Sequence, residues 1–333
     1  MTVTLKHVAE RAGVSRSAVS RCFTEGASIS AKTRAKVERA AAELGYSPNF
    51  LARSLTTRST RLIGLVSNNF RNPVFLQIFD LFTRGLQDRG LRPLLVNLSE
   101  ETDPARSVQM LRQYSVDGVI VASSTLPSGF ARAFREAGVP VVHAFGRPAP
   151  KPDVHVVGID NIACGQMAAQ TLIGRGYARL GFLGGPEAAS TTQDRMAGFL
   201  AEAARHPGTG TAIRFAEAYS FDAGRAAMQA ELAAGHDAEA WFCGDDVLSL
   251  GAISALRDAG LSVPGDVGVI GLNDMEMAGW AGVSLTTIHQ PFAEIIAASI
   301  DLIEAMLDTP ARMPDSRTFP CRVVDRGTLR APA

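Results

Sequence analysis

The N-terminal part of the fold is decided by residues 4–46, TLKHVAERAGVSRSAVSRCFTEGASISAKTRAKVERAAAELGY. Apolar residues recur over residues 5–12 at the i, i+3, i+4 and i+7 spacing of an amphipathic helix. Gly13 has the backbone freedom that a tight turn requires. Ser15 is a favourable N-cap, so a second helix is predicted from residue 16 to about residue 24.

A third helix is predicted over residues 31–44, because Ser30 can cap its start and Gly45 can end it in the left-handed conformation. On the second helix Val19 and Phe23 point one way. The other face carries Arg16, Ser17, Ser20 and Arg21. A helix this short is rarely stable alone in water. The pattern favours a helix-turn-helix whose second helix enters the DNA major groove, although a purely structural three-helix lobe has the same pattern.

The charge distribution supports a nucleic-acid partner for the N-terminal part. The 333-residue chain has no net charge, but residues 1–61 hold eleven Lys and Arg against four Asp and Glu. The remaining residues are therefore acidic by the same excess of seven charges. A basic head on a mildly acidic body indicates that only the head binds a polyanion.

The cysteines and histidines predict neither a metal site nor a disulfide framework. The four cysteines are far apart in the sequence, and the six histidines lack metal-ligand spacing. Free thiols fit a reducing compartment. No stretch resembles a signal peptide or a membrane span, so we expect a cytoplasmic protein without a membrane partner.

Sequence signatures of catalysis are also absent. The chain has no GxxxxGK[ST], GxGxxG, GxSxG or HExxH motif, and no cofactor is expected. Asp245 and Asp246 are adjacent carboxylates, but neighbouring residues at a helix start do not face each other. We therefore expect a protein that is not an enzyme.

From residue 62 onward, short apolar segments alternate with amphipathic helices. Strands are predicted at residues 62–66, 93–97, 117–122, 139–145, 154–159, 180–183, 213–218, 240–243, 267–272 and 286–289. Helices are predicted at residues 74–88, 104–113, 130–137, 162–175, 194–204, 222–233, 246–259 and 291–307. This alternation is typical of an α/β fold with parallel sheets covered on both faces. Ten strands are too many for one comfortable sheet, and the rhythm restarts near residue 154, so two similar lobes are predicted.

Polar residues follow six of these apolar strands. They are Ser67, Asn68 and Asn69, then Ser123, Ser124 and Thr125, then Gly146 and Arg147, Asp160 and Asn161, Asp245 and Asp246, and Asn273 and Asp274. Doubly wound sheets bind ligands at the carboxyl ends of their strands. For any one of these loops, a helix cap or a turn explains the polar residues more simply than a ligand site does. Six together indicate a polar cleft between the lobes.

Specific stretches of the chain resemble the lactose-repressor/galactose-repressor family of bacterial transcription regulators. At the head they are TLKHVAERAGVSRSAVSRCF, SAKTRAKVERAAAELGYSPN and LARSLTTRSTRLIGLV, and farther on DGVIVAS, VPVV, GIDN, DRMAGF, GDDVLSLGA and LTTIHQP. The resemblance covers essentially the whole chain. It implies a helix-turn-helix domain (1–46), a hinge helix or linker (47–60) and a periplasmic-binding-protein-like body of two doubly wound parallel-sheet lobes. The N-lobe would comprise 61–160 and 291–320, and the C-lobe 161–290 and 321–333.

The resemblance further implies a repressor that binds a near-palindromic operator as a homodimer. The expected base contacts are Arg16, Ser17 and Arg21, and the expected DNA-backbone contacts are Thr4, Ser15, Ser20, Thr33, Tyr46 and Asn49. Ala52 and Leu55 would enter the minor groove, with Leu55 as a wedge between base steps. For either arginine a phosphate contact is the alternative, and for Leu55 packing on the body. The family's tetramer-forming C-terminal heptads are missing, so a dimer is expected.

A small-molecule effector, most simply a sugar, is implied between the lobes. The family's effector contacts correspond to Asn68, Asn69, Phe75, Ser123, Arg147, Arg195, Tyr219, Asp245, Asn273 and Gln290. Many members have Asn-Asp at positions 245 and 246 and Asp at position 273, which puts the position of the sugar-binding acid in question. A sugar acid, a phosphate or a nucleobase stays an alternative ligand. Whether the effector induces or co-represses also stays open.

Overall fold

The computed structural model describes residues 3–24, 26–47, 59–98, 103–126, 128–235, 237–309 and 312–332. The chain divides into two compact units, Met1–Thr60 and Arg61–Ala333. The expected DNA contacts Asn49, Ala52 and Leu55 lie outside the described residues. Across the described ranges, the helices are too short or too polar to span a bilayer.

The first unit contains three helices, α1 (Leu5–Ala12), α2 (Arg16–Cys22) and α3 (Ala31–Leu44). The Ser15 hydroxyl accepts a hydrogen bond from the Ala18 amide at 3.2 Å, which caps α2. Ser30 caps α3 in the same way, through the Thr33 amide at 3.2 Å. Gly13 ends α1 in the left-handed region, with a φ of 64°.

A small apolar core holds these helices together. Val8, Val19 and Val37 contribute one side chain from each helix, and all three are fully buried. Helix α2 ends at Cys22, two residues earlier than predicted, and Phe23 packs against Tyr46 with ring centroids 5.8 Å apart. Phe23 is thus the C-cap residue of α2, and its partly buried ring packs against the core of this unit.

The second unit begins with β1 (Leu62–Ser67), α4 (Val74–Asp88), β2 (Arg92–Asn97), α5 (Pro104–Gln113), β3 (Gly118–Ala122), α6 (Ser128–Glu136), β4 (Val141–Ala144) and β5 (His155–Ile159). It continues with α7 (Asn161–Ile173), β6 (Arg179–Gly184), α8 (Ser190–Ala203), β7 (Gly210–Phe215), α9 (Phe221–Ala233), β8 (Ala240–Cys243), α10 (Asp246–Asp258) and β9 (Gly268–Asn273). A 3₁₀ turn (Glu276–Gly279), β10 (Thr286–His289), α11 (Phe292–Asp308), β11 (Ser316–Phe319) and β12 (Arg322–Val324) complete it.

These strands form two six-stranded sheets with helices on their faces. The first sheet has the order β11-β5-β4-β3-β1-β2, and all its neighbours are parallel. The second has the order β12-β10-β9-β8-β6-β7, in which only the β10–β12 pair is antiparallel. One apolar core is shared by both sheets, with Phe82 and Ile300 on the side of the first and Phe182 and Phe242 on the side of the second. The predicted α/β class with two mostly parallel sheets is confirmed.

The chain passes between the sheets three times: after β5, after β10, and between β11 and β12. These passages lie beside the lobe boundaries expected from the resemblance. The division into two lobes stays a proposal, because Arg61–Ala333 forms one compact unit. Strand β11 was not among the predicted strands, since it is only four residues long and incompletely buried.

Two predicted elements are displaced along the sequence. The strand predicted at residues 213–218 is β7, Gly210–Phe215, because Phe215 pairs with Gly184 at the last residue of β6 and the ladder ends there. The helix predicted at residues 194–204 is α8, which begins at Ser190. Its first turn contains Thr191 and Thr192. Because threonine has a low helix propensity, the sequence pattern did not predict that turn as helical.

Candidate functional site

One face of α2 presents polar side chains that are free to meet a ligand. They are Arg16, Ser17, Ser20 and Arg21, all exposed. Val19 and Cys22 lie on the opposite face and are buried. Arg21 donates from Nε to the Ser17 carbonyl at 3.4 Å, which uses one of its five N–H donors. The remaining donors suit a guanine edge or a phosphate.

The residues expected to contact the DNA backbone differ in their surroundings. Thr4 is exposed, whereas Thr33 is half-buried and its hydroxyl lies 2.8 Å from that of Ser30. Ser15 combines its capping bond with a 2.9 Å contact to the Ser17 hydroxyl. Tyr46 is half-buried against Phe23, and this burial raises the pKa of its phenol. Contacts of these residues with DNA stay predictions.

A polar cavity lies between the two sheets of the second unit. Its described lining includes seven residues named from the resemblance: Asn69, Phe75, Arg195, Tyr219, Asp245, Asn273 and Gln290. It also includes residues that were not named as ligand contacts, among them Asn72, Ser124, Phe145, Asn161, Thr191 and Phe292. Most of these residues follow strands at their carboxyl ends, which is where doubly wound sheets bind ligands.

Asp245 lines the cavity and acts as a hydrogen-bond acceptor. Its Oδ2 accepts hydrogen bonds from the side-chain amides of Asn72 and Asn273, each at 2.9 Å. Its Oδ1 accepts from the Val247 amide at 2.9 Å and so caps α10. Burial raises the pKa of Asp245 to about 6. The two positions at which the chain departs from the family pattern, 245 and 273, are thus hydrogen-bonded to each other.

Arg195 supplies the positive charge of the cavity. It is buried, and its Nε donates to Asn161 Oδ1 at 2.8 Å. A second nitrogen, Nη1, donates to the Gly244 carbonyl. Two of its five donors are therefore occupied, and the guanidinium is held in one orientation with donors left for a ligand.

The apolar part of the wall is aromatic. Phe145 and Phe292 pack edge to face, with centroids 6.0 Å apart, and Phe75 lies in the same core. The Tyr219 hydroxyl lies 2.8 Å from that of Thr192 and 3.3 Å from that of Thr191. Aromatic faces beside amide donors and acceptors suit a ring that carries both C–H and O–H groups.

Three expected effector contacts are not among the described lining residues. Asn68 Oδ1 accepts from the hydroxyls of Ser123 and Thr125, at 2.7 and 3.0 Å. Ser123 is fully buried and also accepts from the amides of Thr125 and Leu126. Arg147 forms a two-pronged ion pair with Asp194, which includes a 2.8 Å bond from Nε to Oδ2. In this arrangement these three side chains organise the loops around the cavity.

Sequence reasoning did not assign Asn72 to the site. Asn161 was among the polar residues expected at the cleft, but its bond to Arg195 was not predicted, because the two positions are 34 residues apart. Asn72 lies five residues beyond β1, and its partner Asp245 is 173 residues away. The available signal for Asn72 was an amide immediately before Pro73 and the start of α4.

Asp246 is buried and is not among the described lining residues of the cavity. Its carboxylate accepts from the Met275 amide at 2.8 Å and from the Thr287 hydroxyl at 2.5 Å. Burial raises its pKa to about 7. The carboxylates of Asp245 and Asp246 thus have separate partners, as expected for adjacent residues at a helix start.

The cavity is nearly closed. Its free volume is about 40 Å³, which holds only a few water molecules. The Asn72–Asp245 bond joins its two sides. A sugar-sized ligand requires a larger space than this arrangement provides.

Comparison with known proteins gives matches to both parts of the chain. The protein-family model described as bacterial regulatory proteins, lacI family, matches residues 4–49. The family model described as a periplasmic binding protein-like domain matches residues 169–329. The HTH-type transcriptional regulator CelR of Thermobifida fusca is 34% identical over 93% of this chain and 94% of that protein. The HTH-type transcriptional repressor PurR of Escherichia coli O139:H28 is 31% identical over 98% of this chain and 96% of that protein.

Solved structures match over almost the whole chain. A lac repressor dimer bound to operator and the anti-inducer ONPF has a TM-score of 0.89 and 27% identity, covering 99% of this chain and 100% of that one. A complex of the transcriptional regulator CelR with cellobiose has a TM-score of 0.71 and 29% identity, covering 98% and 99%. With a helix-turn-helix head, a two-sheet body and relatives of this identity along nearly its full length, the chain belongs to the lacI family of bacterial transcriptional regulators.

Proposed function

We propose that this protein is a homodimeric repressor that binds a near-palindromic operator and is controlled by a neutral sugar in the cavity between its sheets. As a DNA-binding regulator it would act in the cytoplasm. Support for the DNA partner comes from the exposed basic face of α2 and from a relative whose structure is a repressor dimer on its operator. Support for the ligand comes from the charge of the cavity.

The charge balance of the cavity is the observation that carries the choice of ligand. Among the described lining residues, Arg195 is the only cation and Asp245 the only carboxylate. Above a pH of about 6 the two charges cancel. An anionic ligand would meet the Asp245 carboxylate at close range, which costs binding energy in a buried site. A neutral polyhydroxyl ligand can donate to Asp245 and accept from Arg195 without adding charge.

Control of DNA binding would follow from the opening of the cavity. An effector shifts an equilibrium only by its differential affinity for the two states. A ligand too large for the closed cavity binds only the open arrangement, and so favours it. We propose that opening changes the separation of the two N-lobes in the dimer and thereby the pairing of the two hinge segments, residues 47–60.

A ligand panel tests this proposal. Purified protein is heated with neutral mono- and disaccharides, cellobiose included, and with sugar acids, sugar phosphates and nucleobases. A neutral saccharide should raise the melting temperature, since a ligand at a hundred times its Kd stabilises by about 2.7 kcal/mol. The same compound should change operator affinity, and Arg195→Ala should abolish this response while leaving ligand-free operator binding intact.

Four other results would change the proposal. Stabilisation by anions alone would refute the charge-balance argument. Stabilisation without any change of operator affinity would refute effector control. An increase rather than a decrease of operator affinity would make the ligand a co-repressor. Sedimentation of the free protein as a monomer at micromolar concentration would contradict the proposed dimer.

A further inference from the structure

A second pocket lies at the opposite edge of the first sheet from the effector cavity. It has a volume of about 290 Å³ and lies where β4 and β5 begin. Its described lining includes Arg135, Val141, His155, Met306 and Arg312. The volume is near the lower end of the range for small-molecule sites. His155 and Ile159 are the two ends of β5, and Ile159 lines the effector cavity, so about 13 Å of strand separates the two sites.

The imidazole of His155 is the unexplained group in this pocket. Its side chain is almost completely buried, with 1% of the residue exposed. Nδ1 accepts a hydrogen bond from the Asp315 amide at 3.1 Å, so the proton of the neutral ring lies on Nε2. Nε2 is buried and has no hydrogen-bond partner among the described residues. A buried donor without an acceptor is costly, which points to an acceptor supplied from outside the chain.

The charges around His155 favour an anionic acceptor. Arg135 and Arg312 both line the pocket. Burial lowers the pKa of His155 most, and the positive charge of Arg312 lowers it further. The ring is therefore a neutral donor near pH 7. Arg135 also donates to the Asp153 carbonyl, a neutral group that leaves its charge uncompensated.

The nearby carboxylates are already engaged by other arginines. The Asp153 carboxylate lies 3.6 Å from Arg132, and that of Asp315 lies 3.1 Å from Arg317. Among the described residues, the side chain of Arg312 pairs with no carboxylate. The pocket thus combines a buried N–H donor with net positive charge.

We propose that this pocket binds the carboxylate or phosphate group of a small anionic metabolite, which accepts a hydrogen bond from His155 Nε2 and pairs with Arg312 and Arg135. Guanidinium groups and an N–H donor are the partners that such oxyanions prefer. The pocket volume of about 290 Å³ selects a small ligand. The site is distinct from the effector cavity in both position and charge.

Ring NMR of the histidines in the full-length protein tests this proposal, with inorganic phosphate and acetate as separate probes. The chain has six histidines, and His155→Gln identifies the His155 signal by its loss. Titration with at least one probe should shift the Nε2–H resonance of His155 with saturation. Arg312→Ala should weaken that binding about tenfold, the usual effect of removing one charged hydrogen-bond partner.

Two matched variants make the result specific. Arg132→Ala removes a cation at the same edge that is already paired with Asp153 and Glu136, and it should leave the Kd almost unchanged. Arg195→Ala alters the effector cavity, and it should also leave the Kd of the probe at the second pocket almost unchanged. Saturation with phosphate but not acetate would assign the site to phosphates, and the reverse to carboxylates. Failure of both probes to shift His155, or equal weakening by Arg312→Ala and Arg132→Ala, would overturn the proposal.

Discussion

The side-chain amide of Asn72 donates a 2.9 Å hydrogen bond to Asp245 Oδ2, and this bond joins the two sides of the effector cavity. Asn72 precedes α4 beside the first sheet, and Asp245 follows β8 in the second. Both residues are buried. A ligand hydroxyl that donates to Asp245 would compete with Asn72 for the same oxygen. Under the proposed function, the bond would link occupation of the cavity to the spacing of its two sides.

Replacement of Asn72 by alanine should loosen the closed arrangement. Loss of a buried partner of a carboxylate costs about 1–3 kcal/mol of unfolding free energy, which urea denaturation measures. The radius of gyration from small-angle scattering should increase. Gln77→Ala, on the exposed side of α4, is the control and should change neither quantity. An Asn72→Ala protein with unchanged stability and size would show that the bond does not hold the two sides together.

The contribution of Asp246 to stability should fall as pH rises from about 4 to 7. The pKa of Asp246 is about 7 in the folded chain, above its ordinary value of 3.8, because burial disfavours the charged form. In this interval the unfolded chain has lost the proton that the folded chain retains, so each pH step favours unfolding. Above pH 7 both states are ionised and the contribution becomes constant.

Asp246→Asn should remove this contribution and so change the slope of stability against pH, since asparagine resembles the protonated acid. Unfolding free energies from urea titrations at several pH values measure the slope. Asp222→Asn, an exposed residue in the first turn of α9, is the comparison and should keep the slope of the parent. Equal slopes for the parent and Asp246→Asn would exclude Asp246 as the source.

Arg16→Ala should weaken operator binding by about 1–3 kcal/mol and relax the preference at one base pair of each half-site. Arg16 is the first residue of α2 and is exposed, so its guanidinium can fork onto guanine O6 and N7. Fluorescence anisotropy with a set of single-base operator variants measures both effects. Arg39→Ala, an exposed arginine of α3, should leave the base preference unchanged. Uniform weakening on every sequence would instead make Arg16 a phosphate contact.

Leu55→Ala should reduce DNA bending and specific affinity without changing effector affinity. This expectation comes from the resemblance alone, because Leu55 lies outside the described residues. A wedge between base steps unstacks them at a cost of a few kcal/mol, which new contacts in the bent DNA offset. Energy transfer between dyes at the ends of an operator duplex measures the bend. A bend angle equal to that of the parent complex would leave Leu55 as a packing residue.

Local sequence signals were sufficient to predict the three helices of the N-terminal unit. The capping serines 15 and 30 and the left-handed glycines 13 and 45 act on neighbouring residues, so the end of α1, the start of α2 and both ends of α3 followed closely from them. In the body, apolar runs placed the central strands for the same reason. The edge strand β7 was misplaced, because its bounds depend on pairing with β6 and not on its own composition.

The cavity depended on contacts that no local pattern contains. The bonds from Asn72 to Asp245 and from Arg195 to Asn161 join residues distant in sequence, and neither was predicted. Arg147 was expected to meet the effector, whereas here it pairs with Asp194, a partner that the resemblance did not indicate. The choice of partner for a charged side chain is thus settled by tertiary packing.

The central claim is that the head selects one DNA sequence above others under control of the body. The most direct measurement is the ratio of affinities for a site selected from genomic fragments and for a shuffled duplex of equal length, at physiological salt. Specific regulators favour their sites by about a thousandfold or more, and we predict a ratio of this size that falls when the effector is added. Equal affinity for the two duplexes, with and without the ligand panel, would contradict the account.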